Sequence, residues 1–102
     1  CSSGHLLAEL RCVWPGAVLV GVDAENAGLA GAHERVPDAA LLHASATDLP
    51  LRDATVDGLI ALNLLEHLPD DVLALREFAR VLRPGGRAVL VVPSNPRLYD
   101  YY

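Results

Sequence analysis

The sequence predicts an α/β fold built on a parallel sheet. Segments with helical spacing alternate with short apolar runs along the whole chain, and the connections between them are short. The first apolar run, "AVLVGVD", closes on an acid, as buried parallel strands do. No strand precedes the opening "CSSGHLLAEL", although a run of small residues feeding a helix normally follows one. The pattern therefore reads as an incomplete, doubly wound domain over residues 1–102, without its first strand.

Each element has its own signal. Leu6, Leu7 and Leu10 recur at helical spacing behind serines able to cap, which predicts a helix over 3–13, ended by Trp14-Pro15-Gly16. A strand is expected over 17–23. A helix over 24–36 follows, weakened by Gly28 and Gly31, and then a strand over 39–44. The polar, Pro50-containing stretch 45–55 reads as a loop, and "VDGLIALN" (56–63) as a strand. A helix over 69–82 starts on a proline and two acids and carries arginines towards its end, in keeping with the helix dipole. Its expected apolar stripe is Val72, Leu75, Phe78, Ala79 and Leu82. "RPGG" then turns the chain into a last strand, 87–93.

Composition narrows the function. With 102 residues, 52% of them hydrophobic and 21% charged, the chain is an ordinary globular mix sized for one domain. A net charge of −5 with scattered arginines argues against nucleic acid or an anionic membrane as partner. Cys1 and Cys12 lack metal-ligand spacing and are too few for a disulfide framework. No signal peptide or apolar span is visible, so a cytoplasmic location is expected. The absence of methionine suggests a piece of a longer protein.

Two features point to a ligand. Small residues at a strand-to-helix turn expose backbone N–H groups at a helix N-terminus, and Gly4 would permit close approach. Asp23 ends a strand 19 residues after Gly4, near the spacing of a ribose-binding acid in dinucleotide folds. A carboxylate there can accept hydrogen bonds from both ribose hydroxyls.

The blocks "CSSG", "LVGVD", "ATDLPL…ATVDGLIALNLLEHLPD" and "LREFARVLRPGGRAVLVVP" resemble a class I S-adenosylmethionine-dependent methyltransferase domain of the type-11 kind, over nearly the whole chain. The resemblance implies a Rossmann-like, doubly wound sheet with helices on both faces, here lacking the first strand and the C-terminal hairpin. It also implies S-adenosyl-L-methionine as cofactor and a small-molecule acceptor. Carried over by position, Cys1, Ser2 and Gly4 belong to the loop beside the methionine part of the cofactor. Asp23 binds ribose, with Ala24 beside the adenosine. Ser45 and Ala46 face the adenine edge, and Asn63 and Leu64 lie by the methionine and the methyl group. Ser2 departs from the family's usual glycine and Ser45 from its usual aspartate.

Methyl transfer from a sulfonium needs mainly alignment, with a base only where the acceptor must lose a proton. His67 is the candidate base, the alternative being that Glu66-His67 orders the loop before the helix. His5, His33 and His43 read as structural, Asp70-Asp71 as helix-capping, and Asp53 and Asp57 as turn residues. The tail tyrosines Tyr99, Tyr101 and Tyr102 are candidates for an acceptor wall. Two rival functions share these residues: an NAD-dependent oxidoreductase, and a non-catalytic methyltransferase-like binding module.

Overall fold

The computed structural model describes residues 3–93. The chain divides into two compact units, Cys1–Pro50 and Leu51–Tyr102. Cys1, Ser2 and the tail tyrosines lie outside the described residues.

In the first unit, α1 (His5–Val13) leads through an extended stretch to β1 (Val20–Asp23). A 3-10 turn (Asn26–Gly28) and α2 (Leu29–Arg35) connect it to β2 (Ala40–His43). The strands β1 and β2 pair in parallel, with Val20 opposite Ala40 and Asp23 opposite His43. Leu7, Leu19, Val36 and Ala39 form the core, and Ala8, Leu10, Ala17 and Leu41 pack against it. The expected helix over 24–36 is thus shorter and begins later. Asp23 Oδ1 accepts from Glu25 N at 2.9 Å, which turns the backbone before any helix can start.

The serine cap expected for α1 is not formed: its N-cap is Gly4, in the left-handed region at φ 85° and with no side-chain cap. The reason is steric. A Cβ on Gly4 would lie 2.7 Å from Ala32 Cα and 2.9 Å from its Cβ, so the start of α1 can meet α2 only through a glycine. Arg11 ties the far end of α1 down, bonding the carbonyls of Pro15 and Ala17 and pairing with Asp38 at 2.9 Å.

The second unit holds β3 (Val56–Leu62), a 3-10 turn (Leu65–His67), α3 (Asp71–Val81) and β4 (Leu82–Val91). The strands β3 and β4 are parallel, with Ile60 opposite Val89 and Leu62 opposite Val91. Here β4 begins at Leu82, opposite Val56, and not at Arg87. The expected "RPGG" turn is an irregularity inside the strand, because the next pair is Gly58 with Arg87. Gly85 supplies the positive φ, 81°, that this detour needs.

Asp70 caps α3 by accepting from Leu73 N at 3.0 Å, as read from the sequence. The buried face of α3 is Ala74, Phe78 and Val81, whereas Val72 and Leu75 are exposed. Arg80 closes the unit. It donates to Glu77 (2.7 and 2.8 Å), to Asp53 Oδ1 (2.8 Å) and to the Leu51 carbonyl (2.8 Å). Glu77, then Asp53, hold its guanidinium even further above its usual pKa, so it stays charged. Ile60, Leu62, Val89 and Val91 share one exposed sheet face.

Gly4→Ala must both adopt a left-handed backbone and push into Ala32. It should cost about 2–4 kcal/mol of stability by urea unfolding. A wild-type midpoint would show that α1 and α2 are not held at this contact.

Candidate functional site

The carboxyl ends of β1 and β2 bring together most of the expected adenosine residues that the structure describes. Because the pair is parallel and in register, Asp23 and His43 end their strands side by side, and Ala24 and Ser45 follow within two residues. Loops leaving this end of a parallel sheet are where open α/β sheets place ligands. Asp23 is partly buried, and its carboxylate is oriented by the Glu25 amide. Its carbonyl accepts from Ala44 N at 2.9 Å, so backbone and side chain are both fixed. Ala24 is exposed, and its carbonyl lies 2.8 Å from His43 Nε2.

Ser45 opens a tight turn. Its carbonyl accepts from Asp48 N at 3.1 Å, and its hydroxyl accepts from Thr47 N at 3.2 Å and meets Thr47 Oγ1 at 2.8 Å. Where the family usually carries a carboxylate, this chain therefore presents a pair of bonded hydroxyls. Ala46 between them is small and half-buried.

Ser3 and Gly4 lead into α1 in the same unit, Gly4 as its N-cap. Gly4 is buried and its missing Cβ is used by Ala32, so close packing explains the glycine without a ligand. Its φ still leaves the first amides of α1 without a side-chain cap.

The remaining candidates lie in the second unit. Asn63 directly follows β3 with a left-handed backbone, φ 51°, and donates its N–H to the Val91 carbonyl at 2.7 Å. A non-glycine residue in that region is uncommon, although asparagine is among the types that tolerate it best. Leu64 is half-buried and accepts from His67 N at 3.0 Å. The His67 side chain is 76% exposed, with Nε2 at 3.5 Å from Glu66 Oε1. At that separation the pair is a loose surface contact worth little.

Sequence reasoning missed two participants in this geometry, His43 and Thr47. The signal for His43 was a polar residue ending the strand after "LVGVD", which gains meaning only once the register sets it opposite Asp23. His5 and His33, read as structural, are exposed on α1 and α2. Among the described residues no group of His, Cys, Asp and Glu could hold a metal, and no helix is long and apolar enough to cross a membrane.

Residues 1–90 match the sequence model of a methyltransferase domain. A "probable S-adenosylmethionine-dependent methyltransferase" of Mycobacterium tuberculosis is 32% identical over 93% of this chain and 34% of its own length. A ubiquinone/menaquinone biosynthesis C-methyltransferase of Syntrophotalea carbinolica is 34% identical over 98% of the chain and 45% of its own length. Among solved structures, a Bacillus subtilis protein superposes with a TM-score of 0.81 at 27% identity, covering 98% of this chain and 45% of that one. The chain thus spans between about a third and a half of the length of these relatives. The α/β fold class and the resemblance read from "LLEHLPD" and "VLRPGG" are borne out.

Asn63→Gly should leave stability near the wild-type value, because glycine adopts φ 51° freely. Asn63→Val should lose about 1–2 kcal/mol in the same unfolding measurement. Equal stability of the two variants would remove the backbone constraint at the end of β3.

Proposed function

The chain belongs to the methyltransferase-domain family, and on that footing we propose that it is the cofactor-binding part of an S-adenosylmethionine-dependent methyltransferase. The observation that carries the reading is Asp23, a carboxylate at the carboxyl end of β1 held by its own backbone turn and by the neighbouring strand. The donor set around it fits an adenosine. A carboxylate accepts from a diol, hydroxyls at Ser45 and Thr47 pair with a purine edge, and the small Ala24 and Ala46 leave a flat ring room.

When bound, S-adenosylmethionine supplies a sulfonium-activated methyl group. The residues of the chain would hold and orient it. Asp23 takes the ribose, Ala24, Ser45 and Ala46 the adenine side, and Gly4 with Cys1 and Ser2 the loop beside the methionine part. The same reading assigns Asn63 and Leu64 to the methionine end and the methyl group. There Asn63 has a left-handed backbone, φ 51°, directly after β3. Orientation is the main contribution, since an aligned donor and acceptor need little further help. His67, open to solvent on the turn before α3, takes up a proton only where the acceptor is a hydroxyl or another group that must lose one.

The acceptor is a small molecule in this reading, as the quinone-pathway name of one relative suggests. In this reading the reaction takes place in the cytoplasm. The rival dinucleotide reading shares Asp23 as the acid that would take a ribose.

Titration calorimetry separates the two. S-adenosylmethionine should bind and NAD should give no heat, and Asp23→Ala should weaken S-adenosylmethionine about tenfold or more, as expected on losing charge-assisted hydrogen bonds. Unchanged affinity would remove the ribose assignment. Ser45→Asp restores the family's carboxylate and can still accept from Thr47 N, so it should tighten binding severalfold. Weaker binding in that variant would show that the hydroxyl pair, and not a carboxylate, suits this ligand.

A further inference from the structure

Resting on the adenosine reading above, we infer that His43 is a positioning residue for the cofactor, holding the backbone corner that presents the Asp23 carboxylate. Its Nε2 lies 2.8 Å from the Ala24 carbonyl oxygen. A carbonyl only accepts, so Nε2 carries the hydrogen, in the neutral and the charged ring alike. The bond crosses from the last residue of β2 to the first residue after β1, because Asp23 and His43 are register partners.

Three hydrogen bonds converge on this corner. Ala44 N donates to the Asp23 carbonyl at 2.9 Å, Glu25 N to Asp23 Oδ1 at 2.9 Å, and His43 Nε2 to the Ala24 carbonyl. The first two fix where Asp23 sits and how its carboxylate points. The third holds the carbonyl of the Ala24–Glu25 peptide, the same peptide whose N–H donates to the Asp23 carboxylate, so His43 steadies the group that orients that carboxylate. Two oxygens meeting two vicinal hydroxyls tolerate little misorientation, so a loosened corner lowers affinity even with the carboxylate in place.

Exposure separates this role from a structural one. His43 and Ala24 are both exposed, so water replaces the lost bond when the ring is removed. The fold loses little, and the effect falls on the ligand.

The test uses the intact protein and calorimetric binding of S-adenosylhomocysteine, with urea unfolding alongside. His43→Ala should weaken binding about three- to tenfold, the range for losing one hydrogen bond, with little change in the unfolding midpoint. His43→Gln, whose amide N–H reaches to a similar distance, should recover most of the loss, and His43→Leu should not. If Asp23→Ala weakens binding while His43→Ala does not, the role of His43 is overturned and the adenosine reading stands. If His43→Ala lowers stability and His43→Gln fails to recover affinity, His43 is structural and the inference is equally overturned. If neither Asp23→Ala nor His43→Ala alters binding, the adenosine reading itself falls.

Discussion

Parallel pairing between β1 and β2, in the register that sets Asp23 opposite His43, is the constraint on which the functional reading depends. A side chain at a strand end has an address only relative to the neighbouring strand. A slip of one residue would put Asp23 beside Leu42 or Ala44 and turn the partner side chain to the other face. The register is held by the buried Leu19, Val36 and Ala39, which the small core of this unit must cover together. Hydrophobic packing at one end of the strands thereby fixes polar chemistry at the other.

The two units solve their connections differently. In the first, close approach of α1 and α2 at Gly4 and Ala32 stands where a side-chain cap would otherwise be. In the second, polar groups do the joining, with Arg80 bonding Glu77, Asp53 and the Leu51 carbonyl. Ile60, Leu62, Val89 and Val91 form an apolar face of the second unit's described sheet that stays exposed.

Much of this was legible in the residues. The alternation of helices and strands, the acid closing β1 and the Asp70 cap all follow from local rules that need no knowledge of the partner element. What was not legible depends on contact between distant segments. The apolar positions of α3 fit more than one stripe, since Val72, Leu73, Ala74, Leu75, Phe78, Ala79 and Val81 surround much of its circumference. Periodicity alone could not choose Ala74, Phe78 and Val81 over Val72 and Leu75. The start of β4 at Leu82 was hidden behind a proline and two glycines, which signal a turn whether or not the strand has begun. At the site, residue types identified Asp23, but only the register identified the neighbour that holds its corner. Asn63 was singled out by position, while its left-handed backbone became visible only in the fold.

The end of α3 at Arg80 is also a backbone junction within the second unit. Ala54 N and Thr55 N donate to the carbonyls of Arg80 and Val81 at 2.8 Å, so the segment just before β3 finishes the last turn of α3. A helix is here completed by residues 26 positions earlier in the chain. Ala54 makes its bond to the Arg80 carbonyl from a left-handed backbone, φ 52°. The closing carbonyls of α3 are thus satisfied by chain from before β3, which ties the two ends of the β3-to-α3 segment together.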